Sequence, residues 1–166
     1  ILGSLVVIFT NASAVPGAFG AIFGNAFRFS SVGGGLAGFT VMVAMRRGIS
    51  RGVFSNEAGL GSSVMVHSAS NVKEPVVQGM WGIFEVFADT LVVCTLTALT
   101  ILTSGVYDYT EYAKYVGTDL PETLKSGVAL TSAAFESVFG SIGGGFISIA
   151  VMLFAFSTIL GWSYYG

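Results

Sequence analysis

Charge is what this sequence has least of. Only 10% of its 166 residues are Asp, Glu, Lys or Arg, against about 25% in an ordinary soluble domain. A single cysteine, Cys94, excludes a disulfide framework and any cysteine-based metal cluster. A single histidine, His67, leaves no ligand set of the zinc type. Seven basic residues against nine acidic ones give a net charge of −2 and no basic stripe, which excludes a nucleic-acid binder. What is abundant points elsewhere. Hydrophobic residues make up 53% of the chain and the mean hydropathy is +0.79. Glycine fills 23 positions, about twice the usual 7%. Low charge, high hydropathy and many glycines fit packed membrane helices, where glycine lets backbones approach closely. They rule out a soluble globular domain.

The chain begins at Ile1 and reaches Tyr164, Tyr165 and Gly166 inside an apolar segment, so it is read as an internal piece of a longer membrane protein. Residues 1–9 are near-continuously apolar; a span needs about 20 residues, so they form the end of a helix. Residues 10–32 mix Asn11, Pro16, Asn25 and Arg28 with small and aromatic residues, which predicts a loop and a short interfacial helix near 15–27. Residues 33–70, taken as one straight helix, would run about 57 Å, far beyond a hydrocarbon core of about 30 Å. Eight glycines in that stretch argue further for a broken, tilted or folded-back element.

Pro75 closes the short turn 71–75 and opens the clearest span, 76–102. At about 40 Å that span crosses with tilt. Residues 103–131 are polar and form a long loop. Residues 132–165 start amphipathic, pass three glycines at 143–145 and become a strong span from Phe146 to Trp162. The long loop holds two lysines and four acids, whereas the short turn carries Lys73 with Arg46, Arg47 and Arg51 upstream. The positive-inside rule therefore puts the short turn in the cytoplasm and the long loop outside. The arginine trio sits either at an interface or within the membrane.

Three groups could carry chemistry. The segment RGVFSNEAGLGS (51–62) sets Ser55, Asn56 and Glu57 beside Ala58, Gly59 and Gly61. It reads either as an interhelical loop with glycine turns or as a broken helix. Irregular backbone at membrane depth is tolerated only where protein buries it or a watery cavity faces it, and such half-helix ends bind a carboxylate or a cation. Glu85 and Asp89 lie four residues apart in the 76–102 span and share a helix face. A charge facing lipid at the bilayer centre costs at least about 2.5 kcal/mol, so that face looks into a bundle. The pair is either a proton or cation relay or a structural pair. Ser157, Thr158 and Trp162 lie in the last span. They are either part of an oxygen cage with a tryptophan filling a small cavity, or hydroxyls bonded to their own helix with an interfacial anchor; the pattern by itself favours the second. His67 reads as a packing or capping histidine. A membrane-embedded enzyme would need a nucleophile or metal set that the sequence does not supply.

RGVFSNEAGLGS, together with EPVVQG (74–79), FADTLVVCTLTAL (87–99) and the final ILGWSYYG, resembles the sodium:alanine symporters, the alanine-or-glycine:cation symporter family, over essentially the whole chain. That resemblance implies an all-α membrane protein of the amino acid–polyamine–organocation superfamily, with a leucine-transporter-like inverted repeat of five plus five helices. Residues 1–10 would end helix 5, 11–32 form an external loop with an interfacial helix, and 33–70 form a discontinuous helix 6. Residues 76–102 would be helix 7, 103–131 an external loop, and 132–165 the lead-in and helix 8. It further implies substrate contact at Ser55, Asn56, Gly59, Gly61 and Ser62, a sodium ion at Ser157 and Thr158, and a substrate-facing Thr158 and Trp162. Helix 6 breaks either there, at 55–62, or in a second register near Gly33–Gly38. The implied activity is sodium-coupled symport of alanine or glycine across a bacterial or archaeal plasma membrane, not enzymatic. Its partners would be the bilayer and helices 1–4 and 9–10 of the parent chain. The alternative is a proton-coupled carrier or exchanger of the same fold, with Glu85 or Asp89 as the coupling carboxylate.

Overall fold

A backbone that leaves water must satisfy its own N–H and C=O groups, and a helix does so within one segment. The structure, a computed structural model, describes residues 1–26, 42, 45–46, 48–50, 52–53, 55–56, 60–107 and 127–165. Every regular element among the described residues is helical: α1 (Leu2–Thr10), α2 (Val15–Ala26), α3 (Ser62–His67), α4 (Pro75–Phe87), α5 (Cys94–Thr103), α6 (Gly127–Phe139) and α7 (Ser141–Trp162). A 3₁₀ turn occupies Ala12–Ala14, and a π-helical segment, Ala88–Val93, joins α4 to α5. Glu57, Ala58, Gly59, the second register's break at 33–38, Arg47, Arg51 and the charged residues of 108–126 lie outside the described residues.

Two helices are long and apolar enough to cross a membrane. The first is continuous from Pro75 to Thr103, 29 residues, and the second is α7, 22 residues; at 1.5 Å per residue they run about 43 and 33 Å. Only 17% and 6% of their most apolar stretches are buried, so their flanks suit lipid or neighbouring helices rather than water. The first helix starts sharply. Glu74 is extended (φ −119°, ψ 121°) as residues before proline are, and Pro75 takes the first helical position, where its missing N–H costs nothing. Near the amino end, α1 and the helix after it bend by 79°. Asn11 makes the bend. Its backbone leaves the helix at φ −110°, ψ 33°, and its Nδ2 caps the Val7 carbonyl at 3.0 Å.

The chain forms two compact units. In the first, residues Ile1–Ile22 with Cys94–Ser157, α1 packs on α5 and α6, and α5 packs on α6. Among the described residues its buried apolar side chains are Val7, Ala18, Leu99, Ala134, Phe135 and Ile147. Thr100 and Thr103 are buried with them, and each satisfies its hydroxyl on a carbonyl one turn back, Leu96 at 2.7 Å and Leu99 at 2.8 Å. The chain reverses between α6 and α7 at Gly140, whose φ of +62° suits glycine. Gly143 then lets α7 lie directly on the α6 backbone at Phe135, and the Phe135 ring stacks on Phe139 and Phe146 with centroids 6.0 Å apart in each case. The second unit, Phe23–Val93 with Thr158–Gly166, holds α3, α4 and the π-segment.

Candidate functional site

Within the second unit, polar side chains of the 51–67 stretch meet the few polar side chains of an otherwise apolar helix. Ser55 and Asn56 have helical backbone, and both reach the π-segment. The Ser55 hydroxyl donates to Asp89 Oδ2 at 2.7 Å. Asn56 Nδ2 donates to Thr90 Oγ1 at 2.8 Å and to the Gly52 carbonyl, one turn back, at 3.3 Å. Two consecutive residues are thus gripped by two consecutive residues. The grip falls in the wider π turn, a distortion found frequently at functional sites. The other end of the Asn56 amide is different: Oδ1 is buried with no hydrogen-bond partner. An unmade bond of that kind costs about 1–3 kcal/mol, so this oxygen is an acceptor held open.

Beyond Asn56, Leu60 lies in a turn and Gly61 takes φ +82°, ψ −8°, a left-handed conformation that glycine adopts freely. Helix α3 starts at the next residue, Ser62. Asn56, α3, the turn after it and α4 together border an open cleft of about 770 Å³. Ser63, His67, Lys73 and Gln78 give it polar lining, and Val64, Ile83 and Val86 give it apolar lining. At its wall His67 Nε2 stands 3.2 Å from Glu85 Oε2. The histidine is 23% exposed and the carboxylate 59%, and so open a pair adds at most about 1 kcal/mol in water. Its larger consequence is geometric. It joins the end of α3 to the middle of α4, where the Gly82 backbone lies close to the imidazole.

Of the residues singled out from sequence, the structure joins Ser55 to Asp89 and sets Asn56, Gly61 and Ser62 in the same stretch; Gly59 lies outside the described residues. Glu85 and Asp89 serve different partners, His67 and Ser55. Ser157, Thr158 and Trp162 lie on α7, all exposed, with Thr158 and Trp162 one turn apart on one face. Two participants were not singled out in these roles. Thr90 holds Asn56, and its signal was a hydroxyl residue next to Asp89 in an apolar span. His67 holds a carboxylate rather than only packing or capping. Among the described residues no group of three His, Cys, Asp or Glu side chains is placed to hold a metal ion. The oxygens on offer are hydroxyls, amide carbonyls and single carboxylates, which suit a hard, weakly charged cation or an ammonium group.

Comparison with known proteins gives a consistent result. A family model described as the sodium:alanine symporter family matches residues 1–166. The sodium/alanine symporter AgcS of Methanococcus maripaludis is 40% identical over 166 residues, 100% of this chain and 33% of that protein. The uncharacterized transporter YflA of Bacillus subtilis is 40% identical over 162 residues, 98% of this chain and 32% of that protein. The sodium/proton-dependent alanine carrier protein of Bacillus sp. strain PS3 is 36% identical over 164 residues, 97% of this chain and 36% of that protein. The chain therefore spans about a third of the length of these relatives.

Proposed function

Because the chain belongs to the sodium:alanine symporter family, whose members are membrane transporters and not enzymes, we propose that the protein it forms part of moves small neutral amino acids, alanine or glycine, into the cell together with sodium. The observation that carries this reading is the junction of Ser55 and Asn56 with Asp89 and Thr90. Polar groups gathered at the depth of an apolar helix, with one buried acceptor unfilled, are what a small zwitterion's site requires. In this reading the chain supplies helices 5 to 8 of a five-plus-five inverted repeat in a bacterial or archaeal plasma membrane. Ser55, Asn56, Gly59, Gly61 and Ser62 face the substrate from the broken helix. Ser157 and Thr158 give hydroxyl oxygens to sodium, Thr158 also borders the substrate, and Trp162 fills the space a larger side chain would need. The coupling is thermodynamic: sodium favours the substrate-binding state, and alanine raises sodium affinity by the same factor.

One observation favours a second reading, proton coupling at the same fold. Glu85 meets His67 at 3.2 Å, two groups able to share a proton, and a relative carries the name sodium/proton-dependent alanine carrier. Labelled-alanine uptake by the full-length protein in proteoliposomes separates the two. Uptake driven by a sodium gradient alone supports the first reading. Uptake driven by a proton gradient alone moves the coupling to Glu85 or Asp89. Uptake under neither overturns the substrate assignment.

A further inference from the structure

We infer that Thr90, together with the Gly52 carbonyl, is a positioning residue that presents the Asn56 side-chain oxygen to the ammonium group of the transported amino acid. The assignment rests on the symport reading above and deepens it by naming which end of the substrate this part of the site holds.

A primary amide has two N–H donors on one side and a carbonyl acceptor on the other. The Gly52 carbonyl only accepts, so the edge of Asn56 that meets it at 3.3 Å must be the amine. Turning the amide over would set two acceptors against each other. The second N–H goes to Thr90 Oγ1 at 2.8 Å. Both donors are consumed, and the rigid plane of the amide then points Oδ1 away from both partners, where it is buried and unpaired. Asn56 borders the cleft and Oδ1 lies beneath its surface, so a ligand that enters past that surface meets an acceptor only. A carboxylate carries no hydrogen to give and would be repelled. An ammonium carries three, and its charge makes each bond roughly twice as strong as a neutral one. Asp89 steadies the arrangement by taking the hydroxyl of the neighbouring Ser55 at 2.7 Å. Residues 55 and 56 are therefore held at two points and cannot turn the amide independently of the π-segment.

Thr90→Val keeps the shape of the side chain and removes the acceptor. In the full-length transporter in proteoliposomes, it should raise the half-saturation constant for alanine about tenfold at saturating sodium, the worth of one charge-assisted bond. The maximal rate per reconstituted transporter and the sodium half-saturation constant at saturating alanine should stay within about twofold, and Thr90→Ser should restore the wild-type value. An alanine constant that stays put in Thr90→Val overturns the assignment. So does a shift confined to the sodium constant, which would give the oxygen to the cation. Wild-type protein supplies a test that does not depend on the variant folding. Propionate, which has the carboxylate and no ammonium, should fail to compete with alanine, and lactate, with a neutral hydroxyl donor, should compete weakly. Propionate competing as well as unlabelled alanine overturns the assignment. Wild-type protein that takes up no alanine under any gradient overturns the symport reading itself, and this assignment with it.

Discussion

Adding one methyl group at Gly143 measures how closely α7 rests on α6. A β-carbon there would stand 2.7 Å from the carbonyl carbon and oxygen of Phe135 and 2.9 Å from the Glu136 nitrogen. All three are backbone atoms of α6, so they yield only if the helix shifts. Overpacking of that kind costs about 1–3 kcal/mol. Alanine is about 1 kcal/mol better than glycine inside a helix, which offsets part of the clash and leaves a net loss of up to about 2 kcal/mol. The propensity contribution can be removed by comparison. At Gly145, two residues along the same helix, a β-carbon meets nothing within 4 Å, so Gly145→Ala should stabilise by up to about 1 kcal/mol. The difference between the two variants is then the clash alone, about 1–3 kcal/mol. Thermal unfolding of the detergent-solubilised full-length protein reads it directly. Gly143→Ala should melt below wild type and Gly145→Ala at or above it. Equal melting temperatures for the two variants would refute the close approach of α7 to Phe135.

Three further substitutions address transport. Trp162→Ala should let larger neutral amino acids such as leucine compete for alanine uptake; an unchanged substrate range removes Trp162 from the pocket wall. Thr158→Ala should raise the sodium concentration for half-maximal uptake about tenfold, roughly 1.4 kcal/mol for one lost oxygen ligand; a fall in protein yield with an unmoved sodium constant would make Thr158 purely structural. Asp89→Asn keeps an oxygen that can accept the Ser55 hydroxyl bond of 2.7 Å, so sodium-driven uptake should stay within about threefold of wild type. Abolished transport in a normally folded Asp89→Asn protein would make that carboxylate the coupling group.

Much of the helical frame was legible because it depends on local chemistry. A proline followed by 27 residues with two acids marks a helix that the structure runs from Pro75 to Thr103. The reversal before the last helix was less so. Residues 132–165 read as one lead-in and span passing the glycines at 143–145; those glycines are helical, and the chain turns before them, at Gly140. Any of these glycines could turn. The choice belongs to packing: with the turn at Gly140, Gly143 falls against the Phe135 backbone. The π-segment was not legible at all: no residue type in ADTLVV demands it, and its contacts join positions 34 apart in sequence. The His67–Glu85 contact escaped for the same reason, since a lone histidine near a helix end carries no sign of its partner.

The polar residues of the apolar helix bear on what drives transport. Glu85, Asp89 and Thr90 each have a partner from the 55–67 stretch: His67, Ser55 and Asn56 respectively. A polar side chain at membrane depth is expensive unless it is paired, and these three pairs account for Glu85, Asp89 and Thr90 as the attachment of the 55–67 stretch to the helix. Neither carboxylate then needs a relay role to explain its presence. The atom that attachment does not explain is the Asn56 side-chain oxygen, buried and unpaired among the described residues. An amide can accept a hydrogen bond or a cation, but it does not titrate in the physiological range and cannot carry a proton across a membrane. If the group left open for a ligand is an amide, the energy for uphill movement must enter through an ion bound elsewhere. In the symport reading proposed above that task falls to the hydroxyl oxygens on α7, whereas Glu85 would take it over only by releasing His67 during the cycle.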